Sequence, residues 1–125
     1  MYRVGVQREF IAQHYLIGGD WGAENQLHSH PYRLELELSG RQLDQHQYLV
    51  DIVAIENALD RLIGYFRDHT LNDLPEFAGV NPSLEHFARV LCEALAQQFL
   101  GGSVERISVK LWENAVAWAG YEVMH

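Results

Sequence analysis

From Tyr32 to Ser39 the side chains alternate without a break, with Tyr32, Leu34, Leu36 and Leu38 apolar against Arg33, Glu35, Glu37 and Ser39 polar. Period two is the signature of a strand buried on one face and wet on the other, an arrangement that antiparallel sheets allow. A chain holding such a strand must also supply neighbours for its edges and a second layer for its apolar face. Just upstream stands Leu27-His28-Ser29-His30-Pro31-Tyr32. If the strand begins there, His28 and His30 point to one side of the ribbon. Taken alone, that pair is either half of a metal site or two partly exposed polar residues at a strand end.

The rest of the chain supplies the neighbours. Tyr2, Val4 and Val6 alternate with Arg3, Gly5 and Gln7 ahead of Phe10-Ile11-Ala12-Gln13-His14. This predicts a first strand from residue 2 to about 15, bulged where the phase drifts, with His14 near its end. Leu16 to Gln26, rich in glycine and acidic residues, reads as a loop between two strands, where catalytic groups tend to sit. Asp51 is a good N-cap, and Ile52, Ile55, Leu59, Leu62, Ile63 and Phe66 follow at helical steps. Asn81-Pro82 predicts the opening of a second helix, with asparagine at the N-cap and proline at the first helical position. Leu84, Phe87, Leu91, Leu95 and Phe99 form its buried stripe, Cys92 joins it as a small core residue, and Gly101-Gly102 stops it. Ile107, Val109 and Leu111 alternate with Arg106, Ser108 and Lys110, and Val116 to Val123 supplies a last strand. The order ββααββ predicts an α+β fold, a four-stranded antiparallel sheet with two helices on one face. The other face, carrying Arg33, Glu35, Glu37, Arg106 and Lys110, is expected to be solvated or to turn toward the central channel of an oligomer.

Composition narrows the partners. A length of 125 residues predicts one domain, residues 1-125. A formal net charge of -8, with Lys110 the only lysine, argues against nucleic acid, which needs a positive field. An anionic substrate would have to be held by a few arginines, histidines, backbone amides or a metal. A single cysteine, Cys92, excludes an internal disulfide and a cysteine zinc cluster. No apolar run reaches the ~20 residues of a membrane span, and Met1 to Val4 lacks a signal peptide's apolar stretch. A cytoplasmic location with no membrane partner is the expectation.

His14 can join the His28 and His30 pair if the first two strands are neighbours, since adjacent strands lie only ~5 Å apart. Three imidazoles leave the open coordination position of a catalytic zinc. Such a metal polarises substrate oxygens or lowers the pKa of a bound hydroxyl or water.

These stretches together resemble a known family. Phe10 to His14, Leu27 to Tyr32, Tyr48-Leu49-Val50-Asp51-Ile52, Leu71-Asn72, Asn81-Pro82-Ser83-Leu84-Glu85, and Glu113 with Tyr121 follow the ordered motifs of the 6-pyruvoyltetrahydropterin synthase and 6-carboxytetrahydropterin synthase family. The resemblance covers nearly the whole chain. It implies a tunnelling fold, in which subunits assemble into a barrel, usually a homohexamer of two stacked trimers with sites at subunit interfaces. It implies Zn2+ on His14, His28 and His30. It also implies that Glu113 anchors a pterin ring, a carboxylate being suited to accept paired N–H bonds. The substrate it implies is 7,8-dihydroneopterin triphosphate, bound to zinc through its side-chain hydroxyls.

Two departures bear on the chemistry. The family's bacterial enzymes place a catalytic cysteine four residues before the first histidine of the H-x-H pair, and here that residue is Glu24. A carboxylate is far less basic than a thiolate unless buried, but it still moves a proton. A branch of the family with glutamate there resembles dihydroneopterin aldolase in releasing 6-hydroxymethyl-7,8-dihydropterin for folate synthesis. The family's Asp-His dyad lies four residues before its Leu-Asn pair. Without a gap Arg67-Asp68 fill that place, whereas Asp68-His69 do so only with one residue deleted. The resulting expectation is a zinc-dependent pterin lyase with Glu24, Asp68 and His69 as catalytic candidates. Its rivals are a zinc-binding homologue that has lost the usual synthase activity and an oligomeric scaffold with no need of zinc.

Overall fold

The alternation around Tyr32 belongs to strand β2 (His28–Gly40), and the computed structural model, which describes all residues 1–125, pairs it on both edges. On one side lies β1 (Tyr2–His14); on the other lies β3 (Arg106–Trp112), itself paired to β4 (Trp118–Met124). The sheet order is β1-β2-β3-β4, with every pair antiparallel. Helices α1 (Ile52–Phe66) and α2 (Leu84–Phe99) fall between the two hairpins in sequence and cover one face, as the ββααββ order predicts.

The core is built from the buried phase of each element. Phe10, Tyr32, Leu34, Leu36, Leu38, Ile107, Val109 and Leu111 come from the sheet, Ile55, Leu59, Ile63 and Phe66 from α1, and Phe87, Leu91 and Leu95 from α2. Cys92 is buried with them; burial pushes its thiol up to about 11, so it is a packing residue with no thiolate at neutral pH. Leu34 is fully enclosed in the central strand. Leu34→Ala is expected to cost ~2–5 kcal/mol, transfer plus cavity, read as a lower denaturation midpoint at unchanged slope.

Three local expectations need correction. No bulge interrupts β1: its register with β2 runs unbroken from Tyr2↔Gly40 to His14↔His28. The apparent drift comes from Ile11, which is apolar yet faces outward and half exposed while Phe10 and Ala12 keep the buried phase. Helix α2 is capped by Ser83, whose hydroxyl accepts from the His86 N–H, and not by Asn81. Asn81 is occupied elsewhere, its amide accepting from the Ile17 N–H and donating to the Ile17 carbonyl. The last strand starts at Trp118 because Asn114 Oδ1 accepts from both the Val116 and Ala117 N–H groups, holding those residues in the turn.

Arg8 sits at an inward position of β1, where an apolar residue would be expected, and bonds Glu56 and Asp60 of α1, each at 2.9 Å. The outward face carries Arg33, Glu35, Glu37, Arg106 and Lys110, as the alternation implies. There the Arg33 guanidinium stacks 4.7 Å from the Trp112 ring centre and the Lys110 ammonium lies 4.3 Å from that of Trp118. No helix is long and apolar enough to cross a membrane.

Candidate metal centre

Strand pairing assembles the histidines. His14, the last residue of β1, lies opposite His28, the first of β2, while His30 is one same-face step further along. The three rings meet edge to face with centres 4.5, 4.9 and 4.8 Å apart.

Backbone carbonyls fix how two of these rings present their nitrogens. His14 Nδ1 donates to the Pro82 carbonyl at 3.0 Å, and His28 Nδ1 donates to the Gln26 carbonyl at 2.7 Å. A carbonyl only accepts, so each Nδ1 carries a hydrogen and each Nε2 is the nitrogen turned toward the cluster, the usual arrangement of ligating histidine. His14 is 4 % exposed and its Nε2 has no protein partner. Burial holds its pKa below the ordinary imidazole value, helped by repulsion from His28 and His30 and opposed by the Pro82 carbonyl. It is therefore neutral, the ligand form, at neutral pH. His28 Nε2 lies 3.1 Å from His30 Nε2 and 2.7 Å from Glu24 Oε2. Ligand atoms of His14, Glu24, His28 and His30 all fall within 4.8 Å of one another. An unpaired buried nitrogen facing two more imidazoles and a carboxylate is a donor set suited to zinc.

Glu24 arrives through a tightly tied loop. A short 3-10 turn spans Gly22–Asn25; the Glu24 carbonyl accepts from the Leu16 N–H at 2.9 Å, and Asn25 bonds Trp21, Leu16 and Gly19. The backbone is held, whereas the Glu24 side chain is 52 % exposed.

Beside the cluster opens a cavity of about 750 Å³ whose walls include His14, His30, Glu24, Ser83, Glu85 and Glu113. No lysine or arginine lines it. Glu113 follows β3, its N–H donating to the Ala117 carbonyl at 3.1 Å in the β3–β4 turn, and it shares this cavity with the histidines.

Asp68 and His69 are not brought there. Their segment runs along the free edge of β1, with the Asp68 N–H donating to the Ile11 carbonyl and the Gln13 N–H to that of His69. Asp68 adopts a left-handed φ of 61° just beyond α1, a position that asparagine and aspartate tolerate better than most. It borders a different cavity, of about 660 Å³, with Arg33, Arg67 and Asn114. His69 is exposed, its Nδ1 donating to the Arg67 carbonyl at 2.7 Å.

Several supporting residues were not legible as such in the sequence. Pro82 matters through its carbonyl, which orients His14, and Asn72 and Asn81 clamp the chain leaving β1 by bracketing Tyr15 and Ile17. Ser83 and Glu85 reach the cavity wall. The only signal for them was membership of the Leu71-Asn72 and Asn81 to Glu85 stretches.

Comparison with known proteins identifies the family and the fold. The sequence model of the 6-pyruvoyl tetrahydropterin synthase family matches residues 3–123. No match was found among curated proteins. Among solved structures, the chain is similar to a Plasmodium falciparum 6-pyruvoyl tetrahydropterin synthase, with a TM-score of 0.81 and 13% identity, covering 99% of this chain and 98% of that one. It is also similar to the Caenorhabditis elegans 6-pyruvoyl tetrahydropterin synthase, with a TM-score of 0.79, 19% identity and coverage of 98% and 97%. A third is a Plasmodium vivax 6-pyruvoyltetrahydropterin synthase in which a glutamate that is a catalytic residue is replaced by alanine, with a TM-score of 0.78, 13% identity and full coverage, 100% of both chains. At these identities the structural likeness establishes the fold, a tunnelling-fold subunit.

Proposed function

The chain belongs to the 6-pyruvoyl tetrahydropterin synthase family, and from that footing we propose that it is a zinc-dependent lyase acting on the side chain of 7,8-dihydroneopterin triphosphate. The observation that carries the reading is the cavity shared by the histidine cluster, Glu24 and Glu113. His14, His28 and His30 would hold the metal. Zinc there supplies Lewis acidity toward the oxygens of the substrate side chain.

The chain's own residues do the rest. Glu113 accepts paired N–H bonds from the pterin ring and sets the distance of the side chain from the histidines. Glu24 removes a proton from the second side-chain hydroxyl. That carbon becomes an aldehyde as its bond to the first side-chain carbon breaks, and the electron pair passes into the ring. Glu24 then returns the proton to the first side-chain carbon. The products are 6-hydroxymethyl-7,8-dihydropterin and the phosphorylated two-carbon aldehyde, with no redox partner. One carboxylate that takes and gives back a proton is sufficient. The glutamate described as catalytic in the Plasmodium vivax protein supports this role for Glu24.

Asp68 and His69 enter through assembly. β1 and β4 are the two edge strands of the sheet, and in the proposed homohexamer the Asp68 and His69 segment of one copy would face the cavity of another. Size-exclusion chromatography with light scattering tests the assembly, and a monomer would remove both residues from the mechanism.

Mass spectrometry of products after incubating zinc-loaded protein with 7,8-dihydroneopterin triphosphate tests the reaction. Turnover to 6-hydroxymethyl-7,8-dihydropterin is expected; no product at any enzymatic rate favours the homologue that has lost the activity. Glu113→Gln is expected to raise KM about tenfold to a hundredfold, the worth of one charge-assisted contact, with a smaller change in kcat.

A further inference from the structure

We infer that Glu24 is itself a metal ligand in the substrate-free protein, so that the resting site is closed by three histidines and a carboxylate and opens only when Glu24 leaves to transfer a proton. This rests on the zinc reading above and adds a second task to one of its residues.

The contacts of His28 lead to it. With its Nδ1 hydrogen donated to Gln26, His28 turns Nε2 toward the cluster. That nitrogen lies 3.1 Å from His30 Nε2 and 2.7 Å from an oxygen of Glu24, an acceptor when ionised. A hydrogen bond between His28 and Glu24 accounts for that one contact alone. It would leave the buried Nε2 of His14 unpartnered as before. A single cation shared by all four atoms satisfies every member at once, and the four atoms lie within 4.8 Å of one another. Neighbouring ligand atoms around a tetrahedral zinc are about 3.3 Å apart when each sits about 2.0–2.1 Å from the metal, and the His28–His30 nitrogen separation of 3.1 Å is close to that.

The loop explains how one carboxylate serves twice. Its backbone is pinned by the Leu16, Trp21 and Asn25 bonds, so Glu24 returns to the same place, while half of its side chain stays open to solvent, the side toward which it would turn. Glu85 and Glu113 share the cavity but stand outside the ligand cluster. Charge alone therefore does not single out Glu24; contact does.

The test reads metal binding and not turnover. Metal-free full-length wild type, Glu24→Gln and Glu85→Gln are titrated with zinc against a chromophoric chelator, then loaded with cobalt(II) for visible spectra. Glu24→Gln is expected to bind zinc tenfold or more weakly and to change the cobalt d–d band, whereas Glu85→Gln, which removes the same charge from the same cavity, matches wild type in both. Equal zinc affinity and superimposable cobalt spectra for Glu24→Gln and wild type overturn the inference. Equal weakening by the two substitutions also overturns it, since that assigns the effect to the cavity's charge. Because substrate is absent, failure here leaves the proposed lyase reaction standing, and failure of turnover leaves this result intact.

Discussion

Glu24→Gln, assayed at saturating zinc, is expected to lower kcat on 7,8-dihydroneopterin triphosphate by about 10²–10⁴, the usual worth of a positioned acid–base group. Amide and carboxylate are nearly the same size, and the 3-10 turn holds the backbone through bonds that do not involve the Glu24 side chain. Substrate should dock almost as before, and KM is expected to move far less than kcat. That split separates proton transfer from binding, because removal of an interaction made equally in ground and transition states would raise KM and spare kcat. Saturating metal matters, since a variant that held zinc more weakly would otherwise mimic a catalytic defect. Progress curves at several zinc concentrations give the result directly. A Glu24→Gln enzyme within tenfold of wild-type kcat would show that proton transfer belongs to another group, with Asp68 or His69 of a neighbouring copy next in line.

The fold was legible because its apolar periods were regular. Tyr32 to Leu38 and Ile107 to Leu111 alternate cleanly, and the apolar steps of α1 and α2 match one buried face each. Where periodicity misled, a local polar bond had overridden it. Asn81 looked like a cap because its amide could have served as one, but the same amide braces Ile17 across 64 residues of sequence, and Ser83 takes the cap instead. No local rule ranks those two partners. The metal candidates were legible from spacing because strand pairing is simple geometry: an H-x-H at the start of one strand and a histidine at the end of its neighbour must meet. Glu24 and Glu113 were placed by position alone and share a cavity. Asp68 and His69 were the weak part, since their register depended on one residue of loop; the chain carries them to the edge of β1 and away from its own cluster.

The last expectation concerns His14, where metal and stability are linked. Zinc at a thousand times its dissociation constant adds about 4 kcal/mol to the folded state if the unfolded chain does not bind it. Wild type should therefore melt several degrees higher with zinc, while His14→Ala should show no rise and no turnover. The metal-free forms should differ much less. Removing the imidazole opens a small cavity and loses the Pro82 hydrogen bond, a net contribution of roughly 0.5–1.5 kcal/mol. It also removes a buried nitrogen with no partner, whose desolvation costs about 1–3 kcal/mol. These effects oppose each other and are of similar size, so the difference between the proteins should appear only when metal is added. Differential scanning calorimetry of both proteins, with and without zinc, gives the four midpoints. A zinc-dependent rise that survives in His14→Ala would place the metal on other residues and sink the assignment of this cluster. A large loss of stability in the metal-free variant would instead make His14 chiefly a structural residue, its carbonyl bond to Pro82 outweighing the cost of its buried lone pair.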